Sequence, residues 1–363
     1  MISAEYYELV YMLIIIAFAI PVCNRYVSYT CARAKNGAKE PIGKSLWFTI
    51  LIICYIGVRP NSPRFADGPG YWYGILDHRW EYYTMEEVSN QFATKYLMST
   101  MSSLHVDPRI GFFVFAIIMY GFALVAMRKF FPKDTLIAMI LYCGTFCVFG
   151  GAVNGIKNGM ALSVFLCALA YCDKWKVYIP LLLLSLGFHH SMQLSVAAFI
   201  LCKLYKNTKH YSLLWILGII IASAHISYFQ ILFAGYTDES GRGYLITNSD
   251  SWVTGFRPDF ILYSAAPVLI GWWVTKKIKI PLSNKYRFCF NTYLVMNTVW
   301  MLCMYSAFTN RIAALSWAIF PILLLYPFLN IQLGGRQYKY VTWVVWGQLS
   351  FTMFMTLLSL KSV

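Results

Sequence analysis

Polar and cationic residues stand at the starts of several apolar segments, where they could bind an anion. These residues are Asn154, Lys157, Asn158, His189, Arg257, Asn310 and Arg311. The backbone N–H groups at a helix start already carry partial positive charge, so a Lys or Arg in the first turn is unfavourable unless an anion joins it. Free N–H groups beside a cation are typical of phosphate sites. The pattern therefore indicates an anionic ligand shared by several helix starts.

Arg311 and His189 carry the strongest chemical signals. Arg311 directly precedes an apolar run, and an arginine at the bilayer centre costs roughly 2.5–3.5 kcal/mol on insertion scales. Such a residue is a functional candidate, although its side chain can also extend to the membrane interface. Imidazole has an ordinary pKa of about 6.5, which suits a general base for a hydroxyl group. The alternative for His189 and the adjacent His190 is a structural pair at the interface.

A further group of candidates lies between Arg59 and Tyr73. Asp67 follows Arg59 and Arg64 in this stretch. Its carboxylate could act as a base, orient one, or form a structural ion pair. The rings of Tyr71 and Tyr73 could stack on sugars, although aromatic residues also collect at membrane interfaces without that role.

Metal chemistry has little support in the sequence. His189 and His190 are adjacent, whereas two metal ligands on one helix face need a spacing of three or four residues. The sequence contains no HExxH, P-loop or GxSxG motif. We therefore expect neither a metal ion nor a cofactor.

The elements that position these residues are strongly apolar. Of the 363 residues, 59% are hydrophobic and 12% are charged, whereas soluble domains carry about 25% charged residues. About 20 residues span a bilayer core. The composition predicts an all-α, polytopic integral membrane protein with about 12 (11–13) transmembrane helices, in which residues 1–363 form a single transmembrane domain. The apolar stretches are 8–22, 46–58, 110–127, 135–153, 158–172, 177–188, 192–202, 212–231, 260–274, 288–306, 312–329 and 341–359.

Lys and Arg predict the orientation. With the N-terminus outside, the cytoplasmic connections hold two thirds of the 30 Lys and Arg but only three of the 15 Asp and Glu. This is the positive-inside pattern, and it explains the net charge of +15 without nucleic acid. The candidate residues then face the outer side. The cytoplasmic connections are 23–45, 128–134, 173–176, 203–211, 275–287 and 330–340.

Two long segments are predicted at the outer face. The first, 59–109, contains an amphipathic helix at about 85–104, which the capping box of Thr84 and Glu87 opens. The second is 232–259. Long loops of this kind usually carry function or helices of their own.

Four stretches of the sequence together resemble a known family. They comprise Arg59, Arg64, Asp67, Tyr71 and Tyr73; Asn154, Lys157 and Asn158; Phe188 to Ser191; and Gly255 to Phe260 with Tyr263, followed by Asn310 and Arg311. In this order and topology they resemble the EpsG-like branch of the Wzy-type polysaccharide polymerases.

The resemblance implies a metal-independent glycosyltransferase of large multi-spanning, GT-C-like architecture in the bacterial cytoplasmic membrane. Its substrate would be an undecaprenyl-diphosphate-linked oligosaccharide, which a flippase delivers to the outer leaflet. The growing chain would move to a sugar hydroxyl of the acceptor unit, and a chain-length regulator would be a further partner. The product would be the O-antigen of lipopolysaccharide, a capsule or an exopolysaccharide, made at a site that faces the periplasm or cell exterior.

The same resemblance implies roles for individual residues. His189, Asp67 and Arg311 would be catalytic. The diphosphate and glycan would be bound by Arg59, Arg64, Lys157, Asn154, Asn158, Arg257, Asn310, Tyr71, Tyr73 and Tyr263.

Two other functions fit parts of the pattern. A flippase or transporter of lipid-linked oligosaccharides would also need cations within the membrane, but it should show two related halves, and the sequence shows no internal repeat. A membrane O-acyltransferase would use a buried histidine and an acyl donor from the cytoplasm, where most connections are short.

Overall fold

The computed structural model describes residues 2–28, 39–77, 91–234, 255–276, 283–306, 309–330 and 337–361. These residues form helices, and no strand occurs among them, which confirms the all-α prediction for this part of the chain. Thr84 and Glu87 lie outside the described residues, as does 235–254 in the second outer segment.

The described helices follow one another with short connections. They are α1 (Tyr7–Ser28), α2 (Ile42–Gly57), α3 (Gly68–Leu76), α4 (Phe92–Ser103), α5 (Pro108–Phe130), α6 (Thr135–Cys143), α7 (Phe146–Val153), α8 (Ile156–Ala170), α9 (Trp175–Phe188), α10 (Met192–Leu204), α11 (Thr208–Ser223), α12 (Tyr228–Ala234), α13 (Pro258–Lys276), α14 (Asn284–Leu302), α15 (Thr309–Trp317), α16 (Phe320–Asn330) and α17 (Gln337–Lys361).

Several of these helices are long and apolar enough to cross a membrane. They are α1, α5, α17 and the stretch formed by α15 and α16, and the bent pair of α6 and α7 makes a fifth candidate. Shorter apolar helices include α2 and α8 to α11. The chain is therefore a helical membrane protein. The number of about 12 helices and the GT-C-like architecture stay predictions.

The described residues pack as two compact units. Unit 1 comprises Met1–His189 together with Leu325–Val363, and unit 2 comprises His190–Leu324. The single transmembrane domain over 1–363 stays a prediction, and the two units are described separately below.

One end of unit 1 collects chain segments that were predicted to be cytoplasmic. The backbone N–H of Glu40, before α2, donates to the carbonyl oxygen of Pro132 at 2.9 Å. Its carboxylate accepts from the N–H of Leu136 at 2.9 Å. The amide of Asn330, at the end of α16, donates to the carbonyl oxygen of Phe130 at 3.4 Å. We call this the Glu40 end of unit 1.

The opposite end of unit 1 collects segments that were predicted to be outside. The ring of Tyr7 stacks on that of Tyr55 with centroids 4.4 Å apart, which joins the start of α1 to the end of α2. The hydroxyl of Thr356 donates to the Glu8 carboxylate at 3.1 Å, which adds the last turns of α17. Arg59 follows directly, so we call this the Arg59 end.

The predicted span 135–153 is broken rather than continuous. Helices α6 and α7 meet at an angle of 70°, although apolar residues continue across the break. The hydroxyl of Thr352 donates to the carbonyl oxygen of Gly144 at 2.8 Å, and that of Thr145 donates to Leu141 at 2.8 Å. Hydroxyl groups of this kind satisfy backbone groups that a broken membrane helix would leave unpaired. Because Leu136 lies at the Glu40 end and α7 reaches Arg59, the two helices together cross unit 1.

In unit 2 the side chain of Asn297 links four helices. Its carbonyl oxygen accepts from the indole N–H of Trp215 at 2.8 Å. Its amide donates to the hydroxyls of Ser264 at 3.2 Å and Ser316 at 3.1 Å. The indole of Trp317 also donates to Ser264, at 2.9 Å. This buried network aligns α13 with α15, the helices that begin near Arg257 and Arg311.

Candidate functional site

Arg59 lies buried just beyond α2, with only 4% of its surface exposed. Its Nη1 donates to the carbonyl oxygen of Ala152, at the end of α7, over 2.8 Å. Its Cζ lies 3.8 Å from the centroid of the Phe112 ring. Within the described residues, Nη2 is buried and has no hydrogen-bond acceptor. One side of the guanidinium is therefore held by the protein, while the other side offers an unused donor.

The charge of Arg59 survives its burial. Burial lowers the pKa of the guanidinium to about 10, and the nearby Tyr7, Tyr120 and Tyr71 side chains oppose this shift. The group is therefore still protonated at pH 7. A buried charge is costly unless it is paired and hydrogen-bonded, so an anion at Nη2 would supply the missing partner.

The start of α3 approaches the same place. A Cβ on Gly68 would lie 3.3 Å from the carbonyl oxygen of Val153, which is next to the residue that binds Arg59. Asp67 occupies the N-cap position of α3 and is half-buried. The loop from Arg59 to Asp67 thus begins and ends against the last residues of α7.

Asn154 follows α7 directly. Its backbone N–H donates to the carbonyl oxygen of Gly150 at 2.9 Å, which holds it at the end of the helix. Its side-chain oxygen Oδ1 is buried and has no donor in the part of the chain that the structure describes. Asn154 therefore presents an unused acceptor two residues from the carbonyl group that holds Arg59.

Two glycines make the turn around Asn154 compact. A Cβ on Gly159, in the first turn of α8, would lie 2.4 Å from the backbone oxygen of Gly151 in α7. Only glycine permits this approach, which places the start of α8 directly against α7. The sequence already signals this contact, because glycines are frequent where membrane helices pack closely. The sequence analysis did not use that signal.

His189 lies at the end of α9, buried at 8% exposure. Its backbone N–H donates to the carbonyl oxygen of Ser185 at 3.2 Å. Helix α4 packs against this end, because the hydroxyl of Thr94 donates to the Phe188 carbonyl at 2.7 Å and the Phe92 ring covers Gly187. The described part of the predicted amphipathic helix thus supports the backbone next to His189.

Helices α8 and α9 run antiparallel in a defined register. The hydroxyl of Ser185 donates to the carbonyl oxygen of Ala161 at 2.9 Å. Lys157 precedes Ala161 by four residues and His189 follows Ser185 by four. With a rise of about 1.5 Å per residue, both lie about 6 Å from this contact toward the same end. Unit 1 therefore brings Lys157 and His189 to one level.

The remaining candidates of unit 1 have different surroundings. Asn158 is buried, whereas Arg64 and Tyr73 are exposed. Tyr71 is also buried, and its ring meets Phe115 edge to face with centroids 6.1 Å apart. The packing of Tyr71 accounts for its ring without a sugar, so its role in stacking stays a prediction.

In unit 2, Arg257 is paired with Asp259 across the start of α13. Nε donates to Oδ1 at 3.0 Å and Nη2 to Oδ2 at 2.6 Å. The guanidinium also lies 4.3 Å from the centroid of the Phe260 ring. Much of the Arg257 charge is thus already balanced by the protein.

Asn310 and Arg311 are exposed in the first turn of α15. Tyr263 lies inside unit 2 instead, where its ring packs against Trp317 at 5.2 Å and Phe320 at 4.5 Å. Arg311 thus offers its charge at the surface of unit 2, and Tyr263 contributes to the core.

Within the described residues, no group of three or more His, Cys, Asp or Glu side chains could hold a metal ion. The absence of a metal from the reaction stays a prediction.

The EpsG family model matches residues 67–362. The matched region includes all the candidate residues except Arg59 and Arg64. No curated protein and no solved structure matches the chain. Because the match extends over more than half of the sequence, it confirms the resemblance of the four stretches, and the chain belongs to the EpsG family.

Proposed function

We propose that this protein is a polysaccharide polymerase that joins polyprenyl-diphosphate-linked oligosaccharide units at the outer leaflet of the bacterial cytoplasmic membrane. Membership of the EpsG family supports the polymerase role. A flippase would supply the units, and a chain-length regulator would act beside the polymerase. Neither a metal ion nor a cofactor takes part in the proposed reaction.

The observation that carries the proposal is the unused donor of Arg59. A buried, protonated guanidinium with a free Nη2 suits an oxygen of a lipid diphosphate. Helix starts and cations that surround a diphosphate also stabilise the negative charge that develops on it as it leaves. Lys157 adds a second positive charge within unit 1.

The proposed reaction exchanges one C–O bond for another. The bond between the anomeric carbon of the donor sugar and the diphosphate oxygen breaks, and the lipid diphosphate keeps the electron pair. The acceptor hydroxyl oxygen forms the new bond to that carbon and gives its proton to the imidazole of His189. Asp67 is proposed to orient the acceptor. The released lipid diphosphate carries no sugar.

Unit 2 offers a second group of polar residues for lipid-linked substrate. In the proposal, Arg311 and Asn310 bind the diphosphate of a lipid-linked unit, because both are exposed at the start of α15. Arg257 contributes less, since Asp259 already neutralises it. Two substrates that each carry a diphosphate give a polymerase a use for cations in both units.

Glycan analysis of a deletion strain tests the proposed function. Loss of a polymerase leaves surface glycans of a single repeat unit, and the wild-type gene should restore the ladder of longer chains. A strain that instead accumulates lipid-linked units at the inner leaflet, with no surface glycan, would identify a flippase. Normal chain lengths with loss of O-acyl groups would identify an acyltransferase.

A further inference from the structure

The end of α7 holds two unfilled hydrogen-bonding atoms of opposite kind. Nη2 of Arg59 is a donor, and Oδ1 of Asn154 is an acceptor. Both are buried, and within the described residues neither has a partner. A buried polar atom without a partner lowers stability, so native proteins rarely keep one without a reason.

The two atoms belong to one small region of unit 1. Arg59 is fixed to the carbonyl oxygen of Ala152, and Asn154 is two residues further along the chain. Each residue spans at most about 3.6 Å, so the two backbone attachments are close. A ligand that fills both atoms must carry an anionic acceptor and a hydrogen-bond donor next to each other.

A sugar bonded to a diphosphate has this arrangement. The phosphate oxygen is attached at C1, and the neighbouring C2 carries a hydroxyl or an acylamino N–H, which is the nearest donor on the ring. We propose that Asn154 accepts a hydrogen bond from the C2 substituent of the first sugar while Nη2 of Arg59 binds a phosphate oxygen. This inference rests on the proposed function, and it makes Asn154 a specificity-determining residue.

The selectivity follows from the cost of an unfilled acceptor. A site that hydrogen-bonds a hydroxyl rejects an analogue without it, because a buried polar group then stays unpaired. A lipid diphosphate that has lost its sugar offers no donor to Asn154. The pair therefore distinguishes the loaded carrier from the spent carrier.

Binding measurements on the full-length protein in phosphatidylglycerol nanodiscs test this. The probes are undecaprenyl diphosphate, its glucosyl derivative and its 2-deoxyglucosyl derivative. The wild type should bind the glucosyl probe about tenfold more tightly than the 2-deoxy probe. Asn154→Ala should bind both as the wild type binds the 2-deoxy probe, whereas Arg59→Ala should weaken all three. Asn61→Ala, an exposed asparagine in the nearby loop, is the matched control and should behave as the wild type.

Several results would overturn the inference. A wild type that does not distinguish the two sugars refutes it without any variant, so a folding defect in Asn154→Ala cannot hide the answer. Equal weakening of all three probes by Asn154→Ala would make Asn154 a structural residue. Loss of discrimination on adding phosphatidylethanolamine, in the wild type alone, would assign the pair to a phospholipid headgroup. A wild type that binds none of the probes would refute the proposed function as well.

Discussion

The hydroxyl of Ser185 donates to the carbonyl oxygen of Ala161 across 2.9 Å, and this bond fixes how α8 and α9 are aligned. The consequence is felt one turn further on, where Lys157 and His189 reach the same level of unit 1. A cation and an imidazole at one level are the two groups that the proposed transfer needs, one for the leaving diphosphate and one for the acceptor proton.

The two adjacent histidines are expected to differ in importance. His189 is buried in unit 1, whereas His190 is half-buried in unit 2, with its ring nitrogen 3.3 Å from the amide of Gln193. His189→Ala should lower the polymerisation rate about 10²–10⁴-fold, as expected for loss of a general base. His190→Ala should retain most activity. Rates with purified protein and lipid-linked units check this, and equal losses in both variants would contradict the role of His189.

Arg59→Lys should lose most polymerisation although it keeps the charge. Lysine has a single ammonium group, so it cannot contact the Ala152 carbonyl in place of Nη1 and also present a planar N–H in place of Nη2. We expect the rate to fall about 10- to 100-fold, the range for a lost hydrogen bond to a charged group. Arg109→Lys, at an exposed position at the start of α5, is the matched control. Near-normal chain lengths in Arg59→Lys would show that only positive charge matters there.

Arg311→Lys should also shorten the surface glycan strongly, and Arg311→Ala should leave single units. The reason is the two-point geometry with which a guanidinium binds phosphate oxygens. Both variants should insert normally, since removing a charge eases insertion. Chain-length gels beside membrane-fraction blots measure both properties, with Arg287→Lys, exposed in α14, as the control. Low protein levels in Arg311→Ala would instead indicate a structural role.

Gly159→Ala should destabilise the protein. The added Cβ would lie 2.4 Å from the Gly151 oxygen, and overpacking of this kind costs about 1–3 kcal/mol. Gly121→Ala is the matched control, because no atom lies within 4 Å of its Cβ position and alanine favours a helix. Thermal unfolding in detergent should show a lower midpoint for Gly159→Ala only. Identical midpoints would mean that α7 and α8 are not in contact.

Accessibility tags test the predicted orientation. Tags in 35–40 and 276–279 should report the cytoplasm, and tags in 78–82 and 240–243 should report the outer side, because Lys and Arg concentrate in the former connections. The measurement is labelling of intact cells with an impermeant reagent. If tags after residues 37 and 241 were labelled alike, the outer-face site would be wrong.

Hydropathy predicted α1, α5 and α17 closely, because a chain in lipid must satisfy its backbone within a helix. It could not predict the break at Gly144. The apolar residues continue through it, and the hydroxyl that satisfies its carbonyl group comes from Thr352, which is 208 residues further along the chain. Sequence pattern has no access to partners at that distance.

The candidate site shows the same division. Residue type alone made Arg59, Asn154 and His189 candidates, because cations, amides and imidazoles are rare in apolar surroundings. Their states depend on packing: the Ala152 carbonyl occupies one nitrogen of Arg59, and no residue type in the loop predicts that. Tyr71 and Tyr263 show the opposite limit, since an aromatic residue looks alike in sequence whether it stacks on a sugar or fills a core.

The bond between Arg59 and Ala152 also bears on turnover. Because Nη1 stays with the backbone, a diphosphate can take only Nη2. A two-bond grip would hold the lipid diphosphate most tightly, yet that molecule is a product that must leave before the next unit can bind, and product release limits many enzymes. A guanidinium with one nitrogen committed to the protein favours departure of the spent carrier, so the polymerase would gain speed in repeated addition at the expense of affinity for its leaving group.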